Sequence, residues 1–265
     1  MWSLNNGGRL STPQLPGSAD TAELPFRSDG AETDLELRPT SGISPSPARR
    51  VLDVAIAALI LVLTLPLLLS LVVATRLSTG GSAIYRQRRV GQGGVPFTLY
   101  KFRTMRPGVA GPEVTAPGDH RVTRLGAVLR GTSIDELPQM VNVLLGHMTL
   151  VGPRPESVAL AVRYPAEFRL VFQYRPGVTG PSQVLVRDEK VLGHVPDVED
   201  YYLANLVPHR VATDFGYLND PTLAHTVRWL VDTALYLIGV IKPKLVPAQL
   251  AADSTPPTRN ASADD

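Results

Sequence analysis

Twenty-one consecutive residues without a charge, Val54 to Ala74, constrain this chain more than any other stretch. At 1.5 Å per residue a helix of that length is about 31 Å long, and the hydrocarbon core of a bilayer is about 30 Å thick. A soluble helix this long would need a polar face, and this run has none, so it reads as a membrane helix. Two features oppose a plain crossing. Pro66, near the middle, removes a helix hydrogen bond, with Thr64 and Ser70 close by to satisfy freed carbonyls. Arginines flank both ends, Arg49 and Arg50 before the run and Arg76, Arg86, Arg88 and Arg89 after it. Positive flanks stay cytoplasmic, so both ends ask for the same side. A helix that enters, breaks at Pro66 and returns satisfies both observations, whereas a kinked single span violates the charge rule once. Asp53, at the rim, is expected to pair with Arg49 or Arg50, because a lone carboxylate at that depth is costly.

The remaining length, within 265 residues, allows one sizeable domain plus tails. Residues 1–48 are rich in Pro, Gly, Ser and Thr and read as a disordered tail without the pattern of a signal peptide. The re-entrant helix is expected over 49–78, one folded domain over 79–242, and a second disordered tail over 243–265. Cysteine is absent, which excludes disulfides, zinc–thiolate sites and a cysteine nucleophile. The formal charge of +2 is spread unevenly. Six acids and three arginines fall in residues 1–48, whereas 76–130 is rich in arginine. That basic face suits lipid headgroups or phosphates. No zinc-finger spacing or aromatic-rich RNA motif is present, so no nucleic-acid partner is expected.

Chemistry concentrates in Arg130-Gly-Thr-Ser-Ile-Asp135-Glu136-Leu-Pro138-Gln139. Ser133 to Glu136 fits a capping box, which predicts a helix start with both acids in its first turn, where ionised carboxylates and phosphates are favoured. Pro138 disturbs that register unless Asp135 is the cap. Acids in a first turn are most often plain caps. The sharper alternative is a nucleophilic or metal-binding carboxylate beside a phosphate-binding arginine. Upstream, residues 82–106 alternate around Gly91, Gly93 and Gly94 and predict a β-hairpin. Lys101 and Arg103 would share one face of it, as a basic edge or as an electrostatic floor for a diphosphate. Helices are expected over 119–131, with Val122, Leu125, Val128 and Leu129 on one face, and over 139–146, 157–172, 197–206 and 222–241, the last docked or interfacial. Residues 174–187 read as a turn leading into a strand. Arg154, stiffened between Pro153 and Pro155, suits either bidentate phosphate binding or a structural salt bridge.

Several long motifs occur in one order: Arg-Arg-x-x-Asp at 49–53, Tyr-Arg-Gln-x-Arg-Val-Gly at 85–91, and Phe-x-x-Tyr-Lys-Phe-Arg-Thr-Met at 97–105. Thr-Ser-x-Asp-Glu-Leu-Pro-Gln at 132–139, Leu-Val-Gly-Pro-Arg-Pro-Glu at 150–156 and Arg-Pro-Gly-Val-Thr-Gly at 175–180 follow. Together they resemble the bacterial sugar transferase family, the monotopic phosphoglycosyl transferases, over roughly residues 49–240. The resemblance implies an α+β monotopic membrane protein with a Pro-broken re-entrant N-terminal helix, a small β-hairpin and several amphipathic or interfacial helices. It also implies an activity: sugar-1-phosphate passes from a UDP-sugar to undecaprenyl phosphate, with release of UMP, in exopolysaccharide or related glycan assembly.

By motif position Asp135 would form a phosphosugar-aspartyl intermediate, Glu136 would assist, and Mg²⁺ would be held near Asp135. Arg130 and Arg154 match the family's phosphate-binding arginines, Pro66 its re-entrant break, and Arg50 and Asp53 the polar rim. Membrane lipids are implied partners, the cytoplasmic face of the inner membrane is the implied location, and a homodimer is compatible with the resemblance. Departures occur at Leu65, where the family has serine, at His147, where it has an acid, and at Pro181-Ser-Gln-Val-Leu-Val-Arg187, which lacks the usual Asn-Gly, so the donor sugar is not inherited. The rivals are a non-catalytic scaffold of a polysaccharide export complex and a multi-span phosphotransferase with a nucleotide-lipid donor.

Overall fold

The computed structural model describes residues 42–115, 118–187 and 197–241, together with the backbone of 244–245. The first element, α1, runs from Pro47 to Thr79 through Pro66 without interruption. It starts where sequence chemistry favours a start: Ser46 caps it, Pro47 occupies the first turn, and Gly80 in a left-handed conformation ends it. Its middle is largely uncovered, with Val62, Leu63, Leu65 and Leu69 between 52% and 71% exposed. Thr64 donates to the Ile60 carbonyl (2.7 Å) and Ser70 to the Pro66 carbonyl (3.0 Å). Neither serves Val62, whose carbonyl Pro66 deprives of a partner, contrary to the expectation from sequence. A hydroxyl on a helix reaches the carbonyl three or four residues back, so only one at 65 or 66 could have served, and Leu65 and Pro66 carry none.

Both ends of α1 dock on the same globular body. Near the start, Arg49 donates to the Val151 carbonyl (3.2 Å), and Arg50 to the carbonyls of Val143 (2.6 Å) and Leu144 (3.0 Å). Near the end, Ser78 donates to Thr123 Oγ1 (3.1 Å). Asp53 is fully buried but does not pair with Arg49 or Arg50. Its carboxylate accepts from Thr149 Oγ1 (2.5 Å) and the Leu150 N–H (3.0 Å). The arginines instead satisfy backbone carbonyls, so the rim charge is compensated by hydrogen bonds rather than by an ion pair. The chain just before α1 is also docked. Ile43 N–H donates to the Gln173 carbonyl (2.8 Å) and Gln92 donates to Ser44 (2.8 Å), so order begins inside the expected 1–48 tail. Residues 1–41 of that tail lie outside the described residues.

The expected hairpin is present as β1, Ile84–Val90, paired antiparallel with β2, Pro96–Phe102, around Gly91–Gly94. Phe97, Leu99 and Phe102 point into the core. Helix α2, Arg124–Gly131, is capped by Thr123 and is shorter than the expected 119–131. Its buried side carries Gly126 and Leu129, whereas Val128 is 61% exposed. A Cβ on Gly126 would lie 2.1 Å from the Thr104 carbonyl oxygen, so α2 rests directly on the backbone following β2.

Helix α3, Gln139–Leu144, lies along the exposed edge of β2. Buried Asn142 accepts from the Tyr100 N–H (3.0 Å) and donates to the Thr98 carbonyl (2.7 Å), acting as a surrogate neighbouring strand. A short parallel pair follows, β3 (Thr149–Val151) with β4 (Gly177–Thr179).

The expected 157–172 helix is split by Pro165 into α4, Val158–Ala161, and a 3₁₀ segment, Ala166–Gln173. After β4 the chain makes a short helix, α5 (Pro181–Leu185), where a strand was expected. Only β5 (Val186–Arg187) is extended, pairing with β6 (Lys244–Leu245) within the stretch read as a disordered tail. Helix α6, Val198–Tyr201, runs through a π-type turn at Tyr202–Leu206 into α7, Val207–Leu218. Helix α8, Leu223–Leu237, follows. Leu223, Val227 and Val231, four residues apart, stay 44–52% exposed along one face of α8, as suits an interfacial helix.

Candidate active site

The capping box does not form. Ser133 adopts a left-handed backbone (φ 58°) with no side-chain cap bond, and Ile134–Glu136 is a single 3₁₀ turn. The reason is Pro138: a helix begun at Ser133 would drive the proline ring into the Ile134 carbonyl, so the chain makes one tight turn and α3 starts afresh. Ser133 is the one non-glycine residue with positive φ among the described residues, two positions from Asp135. A side chain held in that region costs about 1–3 kcal/mol and persists where its surroundings over-determine it.

Asp135 is 6% exposed. Burial and the neighbouring Glu136 carboxylate push its carboxyl up to about 6, against the downward pull of Lys101 and Arg130. The helix-start reading expected the opposite, a site favouring the ionised form. With the helix start moved to Gln139, desolvation dominates. Lys101 answers it from β2. Burial, Arg89 and Arg130 bring its ammonium down to about 8, while Asp135 and Glu136 work to raise it. Arg130 reaches from the end of α2, where its Nε donates to Thr104 Oγ1 (2.8 Å). Gly126 makes this possible, since close packing of α2 on Thr104 brings the arginine within reach.

Lys101 and Arg130 also line a cleft of about 290 Å³ between the hairpin and the 103–115 loop. Six basic residues face it, Arg89, Lys101, Arg103, Arg106, Arg121 and Arg130, against the single carboxylate of Glu113. Lys101 and Arg103 both lie 5.4 Å from the centre of the Tyr85 ring, so the shared placement expected from sequence arises through a common aromatic platform. Arg103 also donates to the Ser82 carbonyl (2.8 Å). Arg121 is neutralised by a bidentate pairing with Asp119. Of the other expected site residues, Arg154 is exposed on the loop after β3 and has no hydrogen bond or ion pair among the described residues. Its charge acts on Arg89. Arg50, Asp53 and Pro66 belong to α1 and lie outside this cluster.

The model of the bacterial sugar transferase family matches residues 45–239. The chain belongs to the bacterial sugar transferase family. Among the relatives of this transferase is the UDP-glucose:undecaprenyl-phosphate glucose-1-phosphate transferase of Caulobacter vibrioides, 42% identical over 72% of this chain and 69% of that protein. The Escherichia coli protein of the same name is 41% identical over 55% of this chain but only 32% of its own length. The UDP-N-acetylgalactosamine-undecaprenyl-phosphate N-acetylgalactosaminephosphotransferase of Aeromonas hydrophila is 35% identical over 68% of this chain and 42% of its own. The sugar transferase thus spans well under half of the last two proteins. These likenesses favour an enzyme over the scaffold rival.

Sequence reasoning missed Arg89, Tyr85, Glu156 and Asp214. Arg89, Tyr85 and Glu156 lay inside quoted motifs, with Arg89 read only as a charge flanking the apolar run and the other two given no role. Buried Glu156 gathers Arg89, Tyr164 and Tyr202, and buried Asp214 accepts from the N–H and hydroxyl of Ser182 (both 2.9 Å). Those partners are distant in sequence, and no local pattern announces them.

Proposed function

We propose that this sugar transferase moves a sugar-1-phosphate from a UDP-sugar to undecaprenyl phosphate and releases UMP, with Asp135 as the nucleophile. The observation that carries this reading is the Asp135 carboxylate, buried against Glu136 and sharing Lys101 and Arg130 with a basic cleft. An Asp135 oxygen attacks the phosphorus bearing the sugar. The bond from that phosphorus to the bridging oxygen breaks, and UMP leaves with the electron pair. The polyprenyl phosphate oxygen then attacks the same phosphorus, the bond to Asp135 breaks, and the carboxylate is restored. Lys101, Arg103 and Arg130 offset charge on the diphosphate, and Arg154, on the loop after β3, adds its charge to theirs. A carboxyl near 6 is ionised at neutral pH and remains more basic than an ordinary aspartate, which favours attack.

Two adjacent carboxylates with no third acidic or histidine ligand in a cluster, among the described residues, fit the habit of Mg²⁺ of binding through one or two carboxylates plus substrate phosphates. Asp135 and Glu136 would hold the ion, which would shield the carboxylates from the incoming diphosphate. The largely uncovered apolar middle of α1, with both ends docked on one body, supports a re-entrant helix whose flanks share the cytoplasmic face of the inner membrane. The relatives' names make UDP-glucose the first donor to try. UMP release from a panel of UDP-sugars in the presence of undecaprenyl phosphate tests the reading, and a panel without any release rejects it.

A further inference from the structure

We propose that Arg89 is a ligand for the phosphates of a nucleoside diphosphate, and that Glu156 is the positioning residue that aims it. This rests on the transferase reading above. Arg89 stands on β1, lines the basic cleft beside Lys101 and Arg130, and keeps 11% of its side chain exposed. Its Nε and Nη2 donate to Gln87 Oε1 (3.1 and 2.7 Å) and its Nη1 to the Pro155 carbonyl (3.1 Å). The contact from Nη1 to Glu156 Oε1 is long, 3.4 Å. A guanidinium carries five N–H donors, so these four contacts leave one Nη2 hydrogen without a partner among the described residues.

A structural Arg–carboxylate pair is normally bidentate and close to 2.8 Å. Here the short bonds go to neutral acceptors, and the acid stands farther off. Glu156 is itself fixed: 4% exposed, it accepts from Tyr202 Oη (2.6 Å), Tyr164 Oη (2.9 Å) and the Ser157 N–H (3.0 Å). Arg210 backs Tyr202 with a donated bond (3.2 Å) and a guanidinium 5.3 Å from the ring centre. A relay of charges and hydroxyls therefore runs from the core to the cleft and holds a positive group that its neighbours only partly neutralise. Arg89 is also the strongest like-charge neighbour of Lys101 and is itself opposed by Arg154. Lys101 and Arg89 both line the cleft and repel each other, and Arg154, on the loop after β3, repels Arg89; a polyanion in the cleft relieves both repulsions.

The test uses full-length protein in nanodiscs, with UDP and uridine as probes, and compares wild type with Arg89→Gln, Glu156→Gln and the charge-neutral double variant. Arg89→Gln should weaken UDP binding roughly tenfold to a hundredfold, as for loss of a charge-assisted hydrogen bond, and leave uridine binding unchanged. The double variant should unfold thermally close to wild type yet bind UDP as poorly as Arg89→Gln. Glu156→Gln should weaken UDP binding when Arg89 is present and add nothing when it is absent. Should Arg89→Gln alone fail to fold because Glu156 is left buried without a counter-charge, the double variant against Glu156→Gln carries the comparison. Wild-type UDP affinity in the double variant overturns the role of Arg89, and equal costs of Glu156→Gln with and without Arg89 overturn the role of Glu156. If wild type binds UDP and releases UMP while these variants are unaffected, only this inference fails. A wild type that does neither fails the transferase reading as well.

Discussion

Replacing Asp135 with asparagine should abolish turnover and at the same time make the protein more stable. Asparagine has the shape of the neutral acid, so the substitution removes the cost of keeping a charge in a buried site. That cost follows from the carboxyl's rise from an ordinary 3.8 to about 6, two units or about 3 kcal/mol at pH 7. The sign follows from proton counting. Between pH 4 and 6 the unfolded chain has released this proton while the folded chain retains it, so wild-type stability falls as pH rises through that window and levels off above it. The gain from asparagine is therefore about 3 kcal/mol at pH 7 and shrinks to about 1 kcal/mol at pH 4.5. For a chain of this size it should raise Tm by roughly 6–12 °C at pH 7.

The assay is thermal unfolding of both proteins in one detergent at pH 4.5 and pH 7, beside UMP release. A variant that is inactive but destabilised would mean the carboxylate serves folding. A gain of equal size at both pH values would mean that burial of the charge is not its source. Either result refutes the argument. The wild-type rate should also fall as pH drops through about 6, when the nucleophile becomes protonated.

Arg154→Ala should lower kcat/KM for the donor roughly tenfold, the modest value appropriate to an exposed arginine, and unchanged donor kinetics would remove Arg154 from the site. Gly126→Ala should destabilise by more than about 2 kcal/mol and raise the donor KM, because the added methyl meets the Thr104 backbone and pushes Arg130 away; a Tm within a degree of wild type would contradict the packing. The chain has no cysteine, so Ser44→Cys and Ser82→Cys each provide a single label site on either flank of α1. Both should react with an impermeant maleimide from the cytoplasmic face only, and periplasmic labelling of one would establish a span.

The parts legible in sequence share a local cause. The hairpin followed from alternation and its glycines, α1 from its uncharged apolar run, and the basic face from the arginine density of residues 76–130. The errors divide between prolines that interrupt a local pattern and partners far along the chain. Ser133 looked like a cap because the Ser-x-x-Glu spacing is right, but Pro138 and the packing of α2 decide its backbone. Asp53 looked like half of an ion pair, but Thr149 and Leu150 lie 96 and 97 residues away. The raised carboxyl of Asp135 could not be read from a motif, because desolvation is a property of what covers the residue.

The rim contacts of α1 then acquire a meaning beyond anchoring. Arg50 satisfies the last carbonyls of α3, Asp53 takes the Leu150 N–H and the Thr149 hydroxyl, and Arg49 takes the Val151 carbonyl. All of these groups lie between residues 143 and 151, within the stretch that joins Asp135, in the turn before α3, to Arg154, just after β3. The long apolar helix is thus fastened to the link between the candidate nucleophile and Arg154, so its placement sets theirs. Arg50 also places its charge at the negative end of α3, where it adds to the bonds of the last carbonyls. Burying Asp53 beneath the rim is costly unless it is fully hydrogen-bonded, and that requirement makes the attachment specific: a shift of α1 by one residue would leave the carboxylate without either donor.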